Sequence, residues 1–242
     1  MPTANKVLWT VGLGNLDRFV NRARSIGASA VAIRTSNSAA SFAGAIRAFH
    51  ELNIKVYGWR WPPINRRAAL GQANQVVELM RQGLDGFIVD PEADKDQKNN
   101  FWDKAELAGL AEEFCSTIRD AFPDRHFGTT SHYRAKRSFP NLPWKAFFRH
   151  SDKTYPQAYW RNEQGRIGQG VRSNYNVSLS AWAEAGANAK TIVPMAGEIA
   201  LATAAEIRTH AAVAAENGID ELHFYTTTPG VTEEVWRAIA EA

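Results

Sequence analysis

The chain has 242 residues, 45% of them hydrophobic and 22% charged, with a formal charge of +3 and a single cysteine. That length holds one large α/β barrel or two small domains, and the composition is ordinary for a globular protein. No run of Lys and Arg marks a nucleic-acid surface, no stretch reaches the ~20 apolar residues of a membrane span, and one cysteine excludes an intramolecular disulfide.

Strand-like and helix-like patterns alternate from end to end. Residues 6–11, KVLWTV, read as a first strand. A helix with Phe19, Val20 and Ala23 on one face follows and ends near Gly27. AVAI at 30–33 is the second strand, and its loop, Thr35 to Ser38, is rich in helix-capping residues. Phe42, Ile46, Phe49 and Leu52 then recur at helical spacing. The third strand, 55–61, is closed by Pro62 and Pro63, and the next helix carries Leu70, Val76, Val77 and Met80.

The fourth strand is the apolar run Phe87, Ile88, Val89, between Gly83 and Pro91. It opens into a polar loop in which Asp94 and Asp96 read as solvated carboxylates. A helix through Leu107, Leu110, Phe114 and Ile118 ends at Phe122 and Pro123. Within it Cys115 reads as a small core residue. The fifth strand is 126–131. The segment 132–149, broken by Pro140 and Pro143, is a loop with a short helix. Strand six is 153–159, and a polar loop leads to a helix around Leu179, Trp182 and Ala185. Strand seven is 191–195, an Ala-rich helix spans about 202–216, strand eight is 221–225, and residues 233–241 close the chain as a helix.

Eight such units without a linker predict a single (β/α)8 barrel, a TIM barrel over residues 1–242. An open doubly wound sheet is the competing arrangement. It is disfavoured because Gly12 and Gly14 are only a fragment of a G-x-G-x-x-G turn. The N-terminus carries no basic segment followed by a long apolar run, so the expectation is a monomer that is cytoplasmic or released without a signal peptide, as in phage-type lysis.

Barrel active sites lie where strands end. Strand three supplies Tyr57, Trp59 and Trp61, spaced by two and therefore on one side. Strand four supplies Asp90 and Glu92, strand five Thr130, His132 and Tyr133, and strand six Tyr155, Gln157, Tyr159 and Trp160. Strand seven supplies Met195 and Glu198, and strand eight Tyr225 and Thr227. Two neighbouring carboxylates raise the pKa of at least one, and a carboxyl that keeps its proton is a general acid. Aromatic faces stack on sugar rings while amides and carboxylates bind their hydroxyls, so the set suits glycosidic-bond chemistry on a polysaccharide or oligosaccharide. Trp9, Trp144, Trp182 and Trp236 read as packing residues. His132 is a base, a ligand or, by preference, a hydrogen-bonding loop residue. No H-x-H, H-E-x-x-H or paired-cysteine spacing indicates a metal, and no cofactor is expected. Gly197 and Gly230 read as ordinary turn glycines.

The segment from Asp85 to Glu92, DGFIVDPE, resembles the D-G-x-D-x-D-x-E signature of glycoside hydrolase family 18, the chitinase-like barrels. Asp85, Gly86, Asp90 and Glu92 match, and Ile88 stands where the signature has an aspartate. Gln157, Ala158 and Tyr159 resemble that family's Q-x-Y segment. The S-x-G-G of strand three is replaced by Tyr57, Gly58 and Trp59, and strand eight lacks the usual tryptophan. The D-x-E strand end is also similar to the lysozyme barrels of glycoside hydrolase family 25, though no aspartate stands in strand one.

The resemblance implies a retaining glycosidase of β-linked N-acetylamino-sugar polymers, peptidoglycan or chitin-like. Glu92 would protonate the leaving oxygen, Asp90 would orient a substrate acetamido group acting as internal nucleophile, Tyr159 would hydrogen-bond that group, and Gln157 would line the subsite. Glu198 offers a second arrangement. A separation from Glu92 of about 5–5.5 Å would suit direct double displacement, and one of about 6.5–9.5 Å inversion. It is read first as a residue in the opening turn of a helix. The alternatives are a chitinase-like barrel that binds carbohydrate without catalysis, and a barrel acting on a phosphorylated or carbonyl substrate. The latter is disfavoured because Lys153 begins, rather than ends, its strand.

Overall fold

The structure, a computed structural model, describes residues 4–93, 98–161, 168–226 and 230–242. Eight parallel strands close into a barrel in sequence order. They are β1 (Asn5–Thr10), β2 (Ala30–Arg34), β3 (Lys55–Arg60), β4 (Gly86–Val89), β5 (His126–His132), β6 (Lys153–Gln157), β7 (Met195–Ala196) and β8 (Glu221–Tyr225). The helices are α1 (Leu16–Ser25), α2 (Ala39–His50), α3 (Arg66–Arg81), α4 (Ala108–Ala121), α5 (Trp144–His150), α6 (Val171–Ala185), α7 (Ala204–Glu216) and α8 (Glu233–Glu241). The eightfold alternation read from the sequence is thus a (β/α)8 barrel. Asp94, Asp96 and Thr227 lie outside the described residues.

Short polar side chains start the helices where the sequence places them. Asn15, Ser38, Asn65 and Thr232 each accept a hydrogen bond from a main-chain N–H in the first turn. Thr203 and Glu206 form a reciprocal capping box, which moves the start of α7 past the expected Ala202.

Period-two alternation divides the strands' side chains between two cores. Val7, Trp9, Ala30, Ala32, Trp59, Ile88 and Tyr155 point into the barrel. Leu8, Val31, Ile33, Val56, Phe87 and Val89 point outward beneath the helices, where Cys115, Trp144 and Trp182 also pack. Burial pushes the Cys115 thiol well above its ordinary pKa, as befits a core residue.

Two strands depart from expectation. Residues 189–191 turn as a short 3-10 helix, and β7 shrinks to Met195–Ala196. Ile192 makes only an isolated bridge to Thr154, and Pro194 has no N–H to donate to a ladder. β6 stops at Gln157, before Tyr159.

The start of β4 explains a glycine. A Cβ on Gly86 would lie 2.5 Å from the His126 carbonyl oxygen, so only glycine lets β5 approach there. Asp85 ties the same end down, accepting from the Val56 N–H at 2.8 Å and facing His50 and Arg125. No helix among the described residues is long and apolar enough to cross a membrane.

Candidate active site

At the C-terminal mouth of the barrel, β4 delivers two carboxylates. The Asp90 N–H donates to the Arg60 carbonyl at 3.0 Å, a last rung beyond the strand, and Pro91 then turns the chain. The Pro91 carbonyl accepts from Ser131 Oγ at 2.6 Å. Glu92 is fixed by its carbonyl, which accepts from the Trp102 N–H at 2.8 Å. The Trp102 indole is fully buried and donates to the Pro62 carbonyl at 2.6 Å, clamping the loops after β3 and β4 together. Sequence reasoning passed over Trp102. Its distance from any strand end left nothing to mark it.

Both carboxylates line one small cavity of about 80 Å3 with Trp9, Trp59, Trp61, Gln157, Tyr159 and Tyr225. Thr130 and Met195 complete its wall. Gln157 Nε2 donates to Asp90 Oδ1 and to Glu92 Oε1, both at 3.1 Å. Asp90 is 3% exposed. Burial, and then the neighbouring Glu92 charge, push its carboxyl well above the usual range, while the Gln157 amide and the nearby Trp61 indole pull the other way. The pair therefore keeps a proton to higher pH than an isolated carboxyl would.

The aromatic residues around the pair are mutually braced. Tyr159 and Tyr225 stack with ring centroids 5.6 Å apart and planes 5° from parallel. Trp59 meets Trp61 and Tyr225 edge-on at 5.6 and 6.0 Å, and its indole N–H donates to the Thr10 carbonyl at 3.0 Å. Burial and the surrounding acidic groups raise the pKa of the Tyr159 phenol, which stays protonated and able to donate. A Cβ on Gly197 would sit 2.6 Å from the Tyr159 ring, so this glycine makes room for the tyrosine. Glu198 follows it and accepts from Thr226 Oγ1 at the rim.

Trp9 corrects the sequence reading. It packs in the barrel, as expected, but also floors the cavity. Its indole N–H donates to His223 Nδ1 at 2.9 Å. An indole only donates, so Nδ1 is unprotonated and Nε2 carries the hydrogen toward Glu221 Oε1, 2.9 Å away. Lys153 Nζ donates to the other Glu221 oxygen at 2.9 Å. A polar column thus runs from the cavity floor to the barrel base.

Four expected site residues lie elsewhere. Tyr57 faces inward like Trp59 but one layer lower, beside His126 at a ring distance of 5.0 Å, and lines a hollow at the opposite end of the barrel. Alternation fixes the side of a strand, not the height. Trp160 points outward and packs against His210 at 5.7 Å, because it is out of phase with Gln157 and Tyr159. His132 packs between Tyr133 and Phe139 rather than lining the cavity. Burial and the Arg134 charge lower its pKa to about 4, so it is neutral, and its Nδ1 accepts from the Arg134 N–H at 3.2 Å. Tyr133 stays with it, outside the cavity. Among the described residues no cluster of His, Cys, Asp or Glu suits a metal ion.

No family model matches the chain, and no curated protein matches it by sequence. Solved structures do match in fold. The C-terminal domain of a protein from Desulfitobacterium hafniense DCB-2 superposes with a TM-score of 0.72 at 11% identity, covering 99% of each chain. A glycoside hydrolase family 18 N-acetylglucosaminidase from Paenibacillus barengoltzii gives 0.69 at 10% identity, again over 99% of each. A family 18 chitinase mutant from Cycas revoluta, in complex with (GlcNAc)4, gives 0.67 at 11% identity over 98% of this chain and 99% of that one. The fold of this chain is that of the family 18 barrels.

Proposed function

We propose that the chain is a retaining glycosidase of β-linked N-acetylamino-sugar polymers, peptidoglycan or chitin-like, with Glu92 as general acid/base and Asp90 assisting. The observation that carries this reading is the single Gln157 amide that holds both carboxyls at 3.1 Å in an aromatic cavity. A cavity of about 80 Å3 takes an acetamido group rather than a whole pyranose ring. Its lining suits that group: Trp59, Trp61 and Met195 for the methyl, and Asp90, Tyr159 and Gln157 for the amide. Family 18 enzymes are among the structures similar in fold, one of them solved with a chitin oligomer.

In the proposed reaction Glu92 gives the proton shared by the pair to the glycosidic oxygen. The acetamido oxygen closes on the anomeric carbon as the leaving sugar departs. Asp90, left ionised, accepts from the acetamido N–H and stabilises the positive charge that develops on the ring. The Tyr159 hydroxyl donates to the acetamido oxygen and aligns it. Water then attacks the anomeric carbon, giving its proton to the Glu92 carboxylate, and the original anomeric configuration returns. In the competing route Glu198 is the nucleophile. Reducing-end release from chitin oligomers and peptidoglycan tests both: Glu92→Gln lowers it by orders of magnitude, whereas Glu198→Gln keeps it only in the substrate-assisted route.

A second reading is favoured by one position. Ile88, fully buried beneath the pair, stands where the family signature has an aspartate. Without a third carboxyl to pass protons through, the barrel would bind N-acetylamino sugars and not cleave them. Saccharide retention with no reducing ends released from any polymer selects this reading.

A further inference from the structure

Trp61 has two sides. One faces the carboxylate cavity. The other walls a groove of about 470 Å3, where β2 and β3 end, that Arg34, Ser36, Arg60, Gln72 and Gln75 also line. The Arg34 guanidinium carbon lies 5.7 Å from the Trp61 ring centroid. Its Nε is buried with no hydrogen-bond partner. Gln72 Nε2 donates to the Trp61 carbonyl at 3.2 Å, which fixes that wall of the groove.

Among the described residues no carboxylate pairs with the charges in this groove. Ten other arginines are ion-paired. Among the described residues Arg34 and Arg60 have no such partner, and unlike a lone surface arginine they are half-buried and line one groove together. Burial and the Arg34 charge both push Arg60 below its ordinary pKa. Two half-buried guanidiniums side by side repel, and an anion between them would relieve that cost. A forked, planar donor set suits a carboxylate in particular.

We propose that this groove is a subsite for a carboxylate on the sugar next to the N-acetylamino sugar in the cavity, held by Arg34 and Arg60, so that the preferred substrate is an acidic glycan. The inference rests on the glycosidase reading for its neighbouring sugar. The carboxylate has two sources, a lactyl ether on an amino sugar or a uronic acid ring, and both present the same planar anion.

The test is calorimetric titration of the Glu92→Gln protein, which separates binding from turnover. The probes are an oligomer alternating N-acetylglucosamine with N-acetylmuramic acid, the same oligomer with its carboxyl reduced to an alcohol, an oligomer alternating N-acetylglucosamine with glucuronic acid, and chitotetraose. An acidic oligomer should bind about tenfold or more tighter than its neutral counterpart, with the gap narrowing as salt rises. Arg34→Gln with Arg60→Gln should close the gap, and the paired Lys substitutions should restore part of it. The acidic oligomer that shows the gap identifies the source. Equal binding of acidic and neutral oligomers, in a protein that still binds chitotetraose, overturns the subsite and leaves the glycosidase reading intact. An Arg-dependent preference in a chain whose wild type releases no reducing ends overturns the glycosidase reading and leaves the subsite. Binding of none of the probes overturns both.

Discussion

Gln157 Nε2 stands 3.1 Å from Asp90 Oδ1 and 3.1 Å from Glu92 Oε1, so one amide group sets the spacing of the two carboxyls. It donates to both, and a donated hydrogen bond favours the ionised form. Gln157→Leu removes that support. The pair's apparent pKa values should rise, and the acid limb of the kcat/KM profile should move toward neutral pH. A profile that stays in place while activity falls would show that Gln157 only shapes the cavity.

Glu92→Gln should lower kcat by about 10²–10⁴-fold, the usual worth of a positioned general acid. Affinity for chitin oligomers should change little, because the amide keeps the shape of the carboxyl. Single-turnover assays beside calorimetry read the two effects separately. Turnover near the wild-type rate would reject Glu92 as the proton donor.

Asp90 links activity to stability with opposite signs. Its pKa is higher folded than unfolded, so the folded state loses stability as pH rises above the unfolded carboxyl value near 4. Asp90→Asn removes that loss. The variant should melt a few degrees above wild type at pH 7, the advantage should vanish below about pH 4, and activity should be lost. Melting curves across pH decide it, and a variant less stable than wild type at pH 7 would contradict the assignment.

Glu221 gives the reverse case. Burial alone would raise its carboxyl, but the hydrogen bonds from His223 and Lys153 and the Lys153 charge hold it at about 2. A depressed folded pKa stabilises the protein above the unfolded value, and that contribution is lost as pH falls from about 4 to about 2. Glu221→Gln should therefore destabilise the protein at pH 7 and cost progressively less below pH 4. Urea midpoints at pH 3 and pH 7 measure the difference, and an equal penalty at both would refute the charge-based account.

Gly197→Ala should displace the Tyr159 ring, since the new Cβ would sit 2.6 Å from it. Misplacing a substrate-aligning group by a fraction of an ångström should reduce kcat/KM by about tenfold or more. The melting temperature reports whether the fold stays intact. Unchanged kinetics would mean that Tyr159 does not contact substrate.

The barrel was legible because eight apolar runs alternate with helical periods, and the capping residues from Thr35 to Ser38 mark the start of α2. The central pair was legible because Asp90 and Glu92 share one side just past a buried run. Tyr57 misled because spacing by two fixes a side and not a layer. Trp160 misled because nearness to a strand end does not tell inward from outward phase. Trp9 both packs and lines the site, and its place in β1 announces only the packing. β7 was misplaced because Pro194 interrupts a run of otherwise strand-like residues. Nothing local announced that Gln157 would touch both carboxyls, since that contact depends on how β4 and β6 are staggered across β5.

The polar column beneath Trp9 has a practical consequence for anyone redesigning this barrel. Its base, Lys153 and Glu221, sits far from the mouth and would tempt an engineer to substitute greasy side chains for a sturdier scaffold. Yet Glu221 orients His223, and His223 holds the indole that floors the cavity. A thermostabilised version with an oily base would have an unmoored floor, so the two ends of the barrel have to be redesigned together.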